Sequence, residues 1–291
     1  MASTHVNKVV CGIDGSKESL NALTWAANEA KMLNGHLEIV CSYEHPTFAG
    51  HTSDSESIDI TRAKSILAQA EEHISSFAIP VTTTTDIEHP AAMLIEKSQT
   101  AKRVVIGSQS GRGIADRFLG SVATDVCSRA SCATIVVPPD DVNAVLPIRQ
   151  IICGIDSSAS SQKAIEIAAE EANRWKARLT YVHAVNFGIG KISGEHYRQN
   201  TLDKAKNELE ELVAKVTAPY SIETRVHAVE GNAATVLTRF STTADLLIVG
   251  TRGRGGFAGL LLGSTSQSIL QRSTCPTLVV RTQNNEDTSL S

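Results

Sequence analysis

The chain repeats itself at the scale of a domain. VVCGIDGSKESLNALTWAANEA, beginning at Val9, lies over IICGIDSSASSQKAIEIAAEEA, beginning at Ile151, with an offset of 142 residues. At the stretches GSQSGRGIADRFLGS (Gly107 to Ser121) and GTRGRGGFAGLLLGS (Gly250 to Ser264) the offset is 143, which predicts one inserted residue in the third helix or in the strand after it. A period this long is a duplicated domain and not a solenoid of short repeats. Half of 291 residues is an ordinary domain length. The expected organisation is a first domain over 1–140 and a second over 148–282. The Pro- and Asp-containing stretch Pro138 to Pro147 is the linker, and 283–291 is a disordered polar tail.

Within each copy, short β-branched runs alternate with longer helical patterns, the grammar of a parallel sheet covered on both faces. The second copy predicts strands at Ile151 to Ile155, Leu179 to Val185, Ile222 to Val229, Leu246 to Val249 and Pro276 to Val280. Helices are expected at Ala159 to Trp175, Tyr197 to Val216, Ala233 to Phe240 and Thr265 to Arg272. The first copy follows with strands near Val9 to Ile13, Leu37 to Ser42, Val81 to Thr85, Val104 to Ile106 and Thr134 to Val137. The fold expected is α/β: two tandem five-stranded, parallel, doubly wound sheets with four helices per copy. Glu44 to Asp59, rich in Ser, Asp and His, reads as a mobile loop.

A formal net charge of −4 gives no basic stripe, so nucleic acid is not an expected partner. No apolar run approaches the ~20 residues needed to cross a bilayer, and MASTHVNK lacks a signal-peptide core. A cytoplasmic protein without a membrane partner is expected. Cys11 matches Cys153 and Cys132 matches Cys275 at apolar positions, so the six cysteines read as small hydrophobes. CSRASC, from Cys127, has no second ligand cluster to complete a zinc site, and no metal ligands are assigned.

Ligands of a doubly wound sheet bind beyond the carboxyl ends of its strands, where strand order reverses. Two loops meet there in each copy. The first strand ends in Gly12, Asp14 and Ser16, or Gly154, Asp156 and Ser158. The fourth ends in the glycine loop, whose Gly250, Gly253 and Gly263 are expected to turn with positive φ and whose Ser264 opens a helix. Glycine-loop and helix amides suit phosphates, and an Asp suits a ribose hydroxyl or Mg2+. Arg252 and Arg254 are placed either for phosphate contact or as solvated surface. The Asp residues are equally able to make a turn or a helix cap. His183 reads as a satisfied, half-buried histidine, and Trp25 and Trp175 as core or interface.

At these residues both halves resemble the universal stress protein family, over nearly all of the chain. The nucleotide-binding branch of that family carries GxxGx9G followed by Ser or Thr, which Gly250, Gly253, Gly263 and Ser264 satisfy. The resemblance implies the fold, ATP binding with or without Mg2+, a stress-response role and homodimerisation through the last strands, or pairing of the two domains within one chain. It places Asp156 and Ala184 beside ribose and adenine, with Val249, Gly250, Gly253, Gly263, Ser264 and Thr265 on the path from adenine to phosphate. In copy 1 it places Asp14, Ser42, Ile106, Gly107, Gly120, Ser121 and Val122 at the matching positions. Ser110 stands where copy 1 should carry its second glycine, so copy 1 is expected to bind more weakly, unless Gly111 takes over the turn.

Other chemistries are excluded by context. GRGGFA at Gly253 to Ala258 matches a dinucleotide fingerprint but follows a fourth strand and lacks the downstream acid. No glycine loop carries a P-loop lysine, no GxSxG elbow occurs, and no SGGxDS loop is present. No catalytic residue is assigned, because no general base is evident at a γ-phosphate position. The reading is an ATP-binding regulator with at most slow hydrolysis. A partner-binding scaffold with vestigial sites is the alternative, and an ATP-dependent transferase the third reading.

Overall fold

The computed structural model describes residues 7–43, 53–108, 119–139, 146–156, 158–188, 194–251 and 262–281. The chain divides into two units, Met1–Ala144 and Val145–Ser291. In unit 1 the elements are β1 (Lys8–Gly12), α1 (Lys17–Met32), β2 (His36–Tyr43), α2 (Ser53–His73), a short 3-10 turn (Ser75–Phe77), β3 (Val81–Ile87), α3 (Pro90–Ser98), β4 (Arg103–Gly107), α4 (Ser121–Arg129) and β5 (Ala133–Val137). The strand order is β3-β2-β1-β4-β5, and every pair is parallel. Unit 2 repeats this with β6 (Gln150–Ile155), α5 (Ala159–Trp175), β7 (Arg178–Val185), α6 (Glu195–Thr217), β8 (Thr224–Glu230), α7 (Ala233–Ser241), β9 (Leu246–Gly250), α8 (Ser264–Arg272) and β10 (Thr277–Val280). Its order is β8-β7-β6-β9-β10, again parallel throughout. The α/β doubly wound architecture expected from the sequence is the observed one.

Central strands are covered on both faces and are therefore apolar without alternation. Val9, Val10, Cys11, Val104 and Val105 are fully buried, as are Ile151, Cys153, Leu247 and Ile248. The outer strand β3 (VTTTTDI) is only half covered and carries threonines instead. Each first helix starts on a serine: Ser16 Oγ accepts from Ser19 N at 3.1 Å and Ser158 Oγ from Ser161 N at 3.2 Å. Such a cap contributes about 1 kcal/mol.

Two expectations need correction. Residues 53–59 belong to helix α2, so the segment read as a loop is helical over its second half, while 44–52 lie outside the described residues. The inserted residue is also elsewhere. Leu37 pairs with Val81 and Leu179 with Thr224, so the offset of 142 at β2 and β7 is already 143 at β3 and β8. The extra residue lies between β7 and β8, around α6, and not in the third helix or the strand after it. A long helix with a solvent face absorbs an insertion, whereas a buried strand would lose its register.

Below the carboxyl ends the copies have diverged in matched sets. In unit 1, Glu38 is 6% exposed; its Oε2 accepts from Lys8 Nζ at 2.8 Å, and its Oε1 accepts from Thr84 Oγ1 at 2.9 Å and lies 2.6 Å from Lys97 Nζ. The equivalent positions in unit 2 are Thr180, Gln150, His227 and Phe240. There Gln150 Nε2 donates to Thr180 Oγ1 at 3.1 Å, and the His227 and Phe240 rings lie 6.2 Å apart. A buried acid is retained on the first helix of both units, as Glu29 and Glu171, each 1% exposed. Its cation has moved. Arg103 of β4 serves Glu29 at 3.7 Å, whereas Leu246 fills that strand position in unit 2 and Arg174, on the same helix, serves Glu171 at 2.9 Å. Removing one member of a buried charged set strands the others, so the members change together.

Burial raises the Glu38 carboxyl, but the hydrogen bonds from Lys8, Lys97 and Thr84 outweigh it and hold the group at about 2, below its ordinary 4.5. A depressed folded-state pKa adds stability above pH 4.5 that is lost as pH falls toward 2. Glu38→Gln is therefore expected to be less stable than wild type at pH 7, with the gap shrinking between pH 4.5 and 2 in urea unfolding. An equal gap at pH 7 and pH 3 would contradict this. A second test concerns Gly154, where an added Cβ would meet Leu237 Cδ1 at 2.5 Å and Cδ2 at 3.0 Å. Gly154→Ala should cost about 1–2 kcal/mol by overpacking, and most of that cost should vanish in the Gly154→Ala/Leu237→Val background.

Candidate functional site

The order in which the chain adds strands reverses between β1 and β4, and between β6 and β9. At the end of β1, Asp14 Oδ1 accepts from the Ser16 amide at 3.0 Å and from the Ser16 hydroxyl, while the Asp14 amide donates to Ser19 Oγ at 3.4 Å. At the end of β6, Asp156 Oδ1 accepts from the Ser158 amide at 2.9 Å, and its amide donates to Ser161 Oγ at 2.9 Å. Each aspartate thus makes the turn with one carboxylate oxygen. The turn reading and the ligand reading are compatible, since Asp14 is also exposed on the wall of a cavity.

The fourth strand meets the helix after it through a narrow neck. Gly120 N donates to Ser108 O at 2.9 Å, and Gly263 N to Thr251 O at 2.8 Å. Gly120 (φ −62°, ψ 154°) and Gly263 (φ −70°, ψ 149°) are the N-cap residues of α4 and α8. Their φ is negative, and Gly250 is not among the positive-φ glycines either. The expected positive φ at Gly250 and Gly263 is therefore wrong, because Gly250 ends strand β9 and Gly263 is an N-cap residue, both in extended conformations open to any residue. What glycine supplies at the cap is the missing side chain. Neither α4 nor α8 has a side-chain cap, nor does α6, which opens on Gly194, whereas α1, α3, α5 and α7 are capped by Ser16, His89, Ser158 and Asn232. The first intrahelical bond in α4 runs from Thr124 N to Gly120 O at 3.0 Å, leaving the amides of Ser121, Val122 and Ala123 pointing out of the helix. The positive end of the dipole faces the same way.

These loops enclose a cavity of about 300 Å³ in unit 1. Ile13, Val40, Pro90, Met93, Leu94 and Ile106 form its apolar side. The polar side is formed by Asp14, Ser19 and Ser42 together with Gly107, Ser108, Gly120, Ser121 and Val122. All eight copy 1 residues singled out in the sequence, Gly12, Asp14, Ser42, Ile106, Gly107, Gly120, Ser121 and Val122, lie on this one wall. Ser42 reaches it because β1 pairs with β2 only as far as Gly12 with Val40, while β2 runs on to Tyr43. Sequence reading misses Val40, Met93, Leu94 and Pro90. The α3 residues come from a helix whose packing over β1 follows only from the topology, and Val40 could have been found by counting two back from Ser42 along the strand.

The copy 2 residues occupy the equivalent places. Gly154 and Asp156 end β6, Ala184 lies on β7, Val249 and Gly250 end β9, and Gly263, Ser264 and Thr265 open α8. Arg252, Arg254 and Gly253 lie outside the described residues, as do Ser110 and Gly111. Leu262 is buried. His183 Nδ1 lies 2.9 Å from Ile155 O and is half-buried. Trp25 is 1% exposed. Five of the six cysteines are buried and none is in a disulfide. Burial pushes the thiols of Cys127 and Cys275 up to about 12, and that of Cys41 to about 11, which makes them poor nucleophiles. Among the described residues no three His, Cys, Asp or Glu side chains gather as metal ligands would, and no helix is long and apolar enough to cross a membrane.

Comparison with known proteins gives a consistent picture. The family model described as Universal stress protein family matches residues 5–138 and again 147–281. Universal stress protein Rv2005c of Mycobacterium tuberculosis is 32% identical over 289 residues, covering 94% of this chain and 96% of the relative. A universal stress protein of Mycolicibacterium smegmatis is 29% identical over 94% of this chain and 96% of its own length. The crystal structure of a universal stress protein from Archaeoglobus fulgidus superposes with a TM-score of 0.73 at 20% identity, covering 97% of this chain and 98% of that one. With both halves matched and full-length tandem relatives covered nearly end to end, the chain belongs to the universal stress protein family.

Proposed function

We propose that the chain is an ATP-binding regulatory protein in which bound nucleotide biases conformation, self-association or a partner interface. The observation that carries the reading is the union, in one cavity, of an apolar slot and an uncapped helix start. The slot between Val40, Met93, Leu94 and Ile106 suits a heteroaromatic ring, and the free amides of Ser121 to Ala123 suit a phosphate. Asp14, with one carboxylate oxygen engaged in its turn, and Asp156, at the equivalent strand end, are positioned for a ribose hydroxyl or a phosphate-bound Mg2+. The equivalent residues of copy 2, from Gly154 to Thr265, would form the second site, with Arg252 and Gly253 of the loop adding phosphate contacts. A cytoplasmic protein that pairs through β5 and β10, between chains or within one, completes the proposal.

Catalysis is not part of it. Asp14 is the one titratable side chain on the described cavity wall, and it is tied into the strand-end turn. Phosphoryl transfer needs a positioned nucleophile and charge stabilisation at the leaving oxygens, so turnover should stay below about one per minute.

Purified protein, heat-denatured and analysed by chromatography, is expected to release ATP or ADP. Gly120→Val and Gly263→Val place a side chain over the helix amides at a φ that valine tolerates, and together they should abolish release while the protein stays folded. Asp156→Ala should reduce it. If wild type releases nothing and added ATP leaves the melting temperature unchanged, the loops are structural and a partner-binding scaffold becomes the better reading. Sustained turnover well above one per minute would overturn the non-catalytic assignment.

A further inference from the structure

Most residues on the cavity wall have the same or a similarly apolar counterpart in the other copy, and the hydroxyls of Ser19, Ser108 and Ser121 are matched by Ser161, Thr251 and Ser264, but hydroxyls at three positions are not matched, one of them Ser266 in place of Ala123. Ser42 on β2 corresponds to Ala184 on β7, and Val122 in α4 corresponds to Thr265 in α8. Among the described residues neither the Ser42 hydroxyl nor the Thr265 hydroxyl has a hydrogen-bond partner. Neighbouring hydroxyls are already used. Ser19 Oγ donates to Ser16 O at 2.9 Å and accepts from the Asp14 amide, and Ser266 Oγ donates to Gly250 O at 2.8 Å. Ser42 and the start of α4 also lie at opposite ends of the site. Ser42 is on β2 and α4 follows β4, with β1 between them, a separation of two strand spacings or about 10 Å.

We infer that the two copies select different phosphorylation states of one nucleotide class. Copy 2 spends its extra hydroxyl at the helix start and favours a triphosphate. Copy 1 spends its own at the strand end, on the nucleoside, and discriminates little between mono- and triphosphate. The inference rests on the nucleotide reading of these sites. A hydroxyl can both donate and accept, so Ser42 can serve a sugar hydroxyl or a ring nitrogen equally. Thr265 adds a donor beside amides that already favour an anion.

The test is calorimetric titration of ATP and of AMP into the full-length protein and three near-isosteric variants, Ser42→Ala, Val122→Thr and Thr265→Val. Melting temperatures check that each variant folds. Thr265→Val should weaken ATP at copy 2 by about 3- to 10-fold and AMP much less, the effect of one hydrogen bond. Val122→Thr should raise the ATP preference of copy 1 by a similar factor, and Ser42→Ala should weaken both nucleotides there equally. Unchanged ATP-to-AMP ratios in Val122→Thr and Thr265→Val, with ATP still bound, overturn the inference and leave the nucleotide reading standing. Failure of wild type to bind either nucleotide overturns both.

Discussion

The architecture depends on one constraint: parallel strands must be joined by crossovers, and those leaving β1 and β4 run in opposite directions along the sheet. Chain therefore departs on both sides of the seam and leaves a gap at the carboxyl ends that no side chain of the sheet fills. Asp14 is carried to one lip of that gap by the turn that starts α1, and the neck from Ser108 to Gly120 carries the start of α4 to the other. α3 closes the floor, with Met93 and Leu94 packed under the seam. Each of these contacts also serves the fold, which is why turn, cap and site share the same residues.

The helix starts show how function is separated from stability. Four helices of the two units begin on a Ser, His or Asn whose side chain consumes an amide. α4 and α8 begin on glycine and forgo the side-chain cap, at a cost of about a few tenths of a kcal/mol each relative to a capping Ser or Asn, as does α6, which begins on Gly194. What sets α4 and α8 apart from α6 is that they are uncapped at equivalent places of the two units, beside the strand reversal, which makes sense if something outside the chain completes the helix start. Below the carboxyl ends, the buried charged groups of the two copies have changed in sets. The Lys8, Glu38, Thr84 and Lys97 set and its replacement by Gln150, Thr180, His227 and Phe240 are two solutions to one accounting problem.

Much of this is legible in the sequence because its signals are local. Central strands read as unbroken apolar runs, and helix α5 is bounded by Ser158 and by Lys176 in the left-handed conformation, so Ala159 to Trp175 is recovered residue for residue. The motif residues of copy 1 fall on one cavity wall because strand ends and helix starts are themselves local features. Glycine is less informative. The motif glycines Gly250, Gly253 and Gly263 suggest positive φ, yet Gly263 is extended, and its use lies in the absent side chain rather than in its backbone freedom. The position of the insertion escapes sequence reading too, since it falls in the connection between β7 and β8, where no motif marks the register.

The sequence by itself determined that the chain is a duplicated domain, that each copy alternates strand and helix, and which loops end the first and fourth strands, because periodicity, capping and turn chemistry act over a few residues. Only the tertiary structure decided that Val40, Pro90, Met93 and Leu94 face those loops, that Glu38 is held by two lysines far from it along the chain, and that Ser42 and Val122 stand at opposite ends of one cavity. Such relations are set by the order of strands in the sheet and the face each helix covers. Packing chooses both, and no short stretch of residues encodes either.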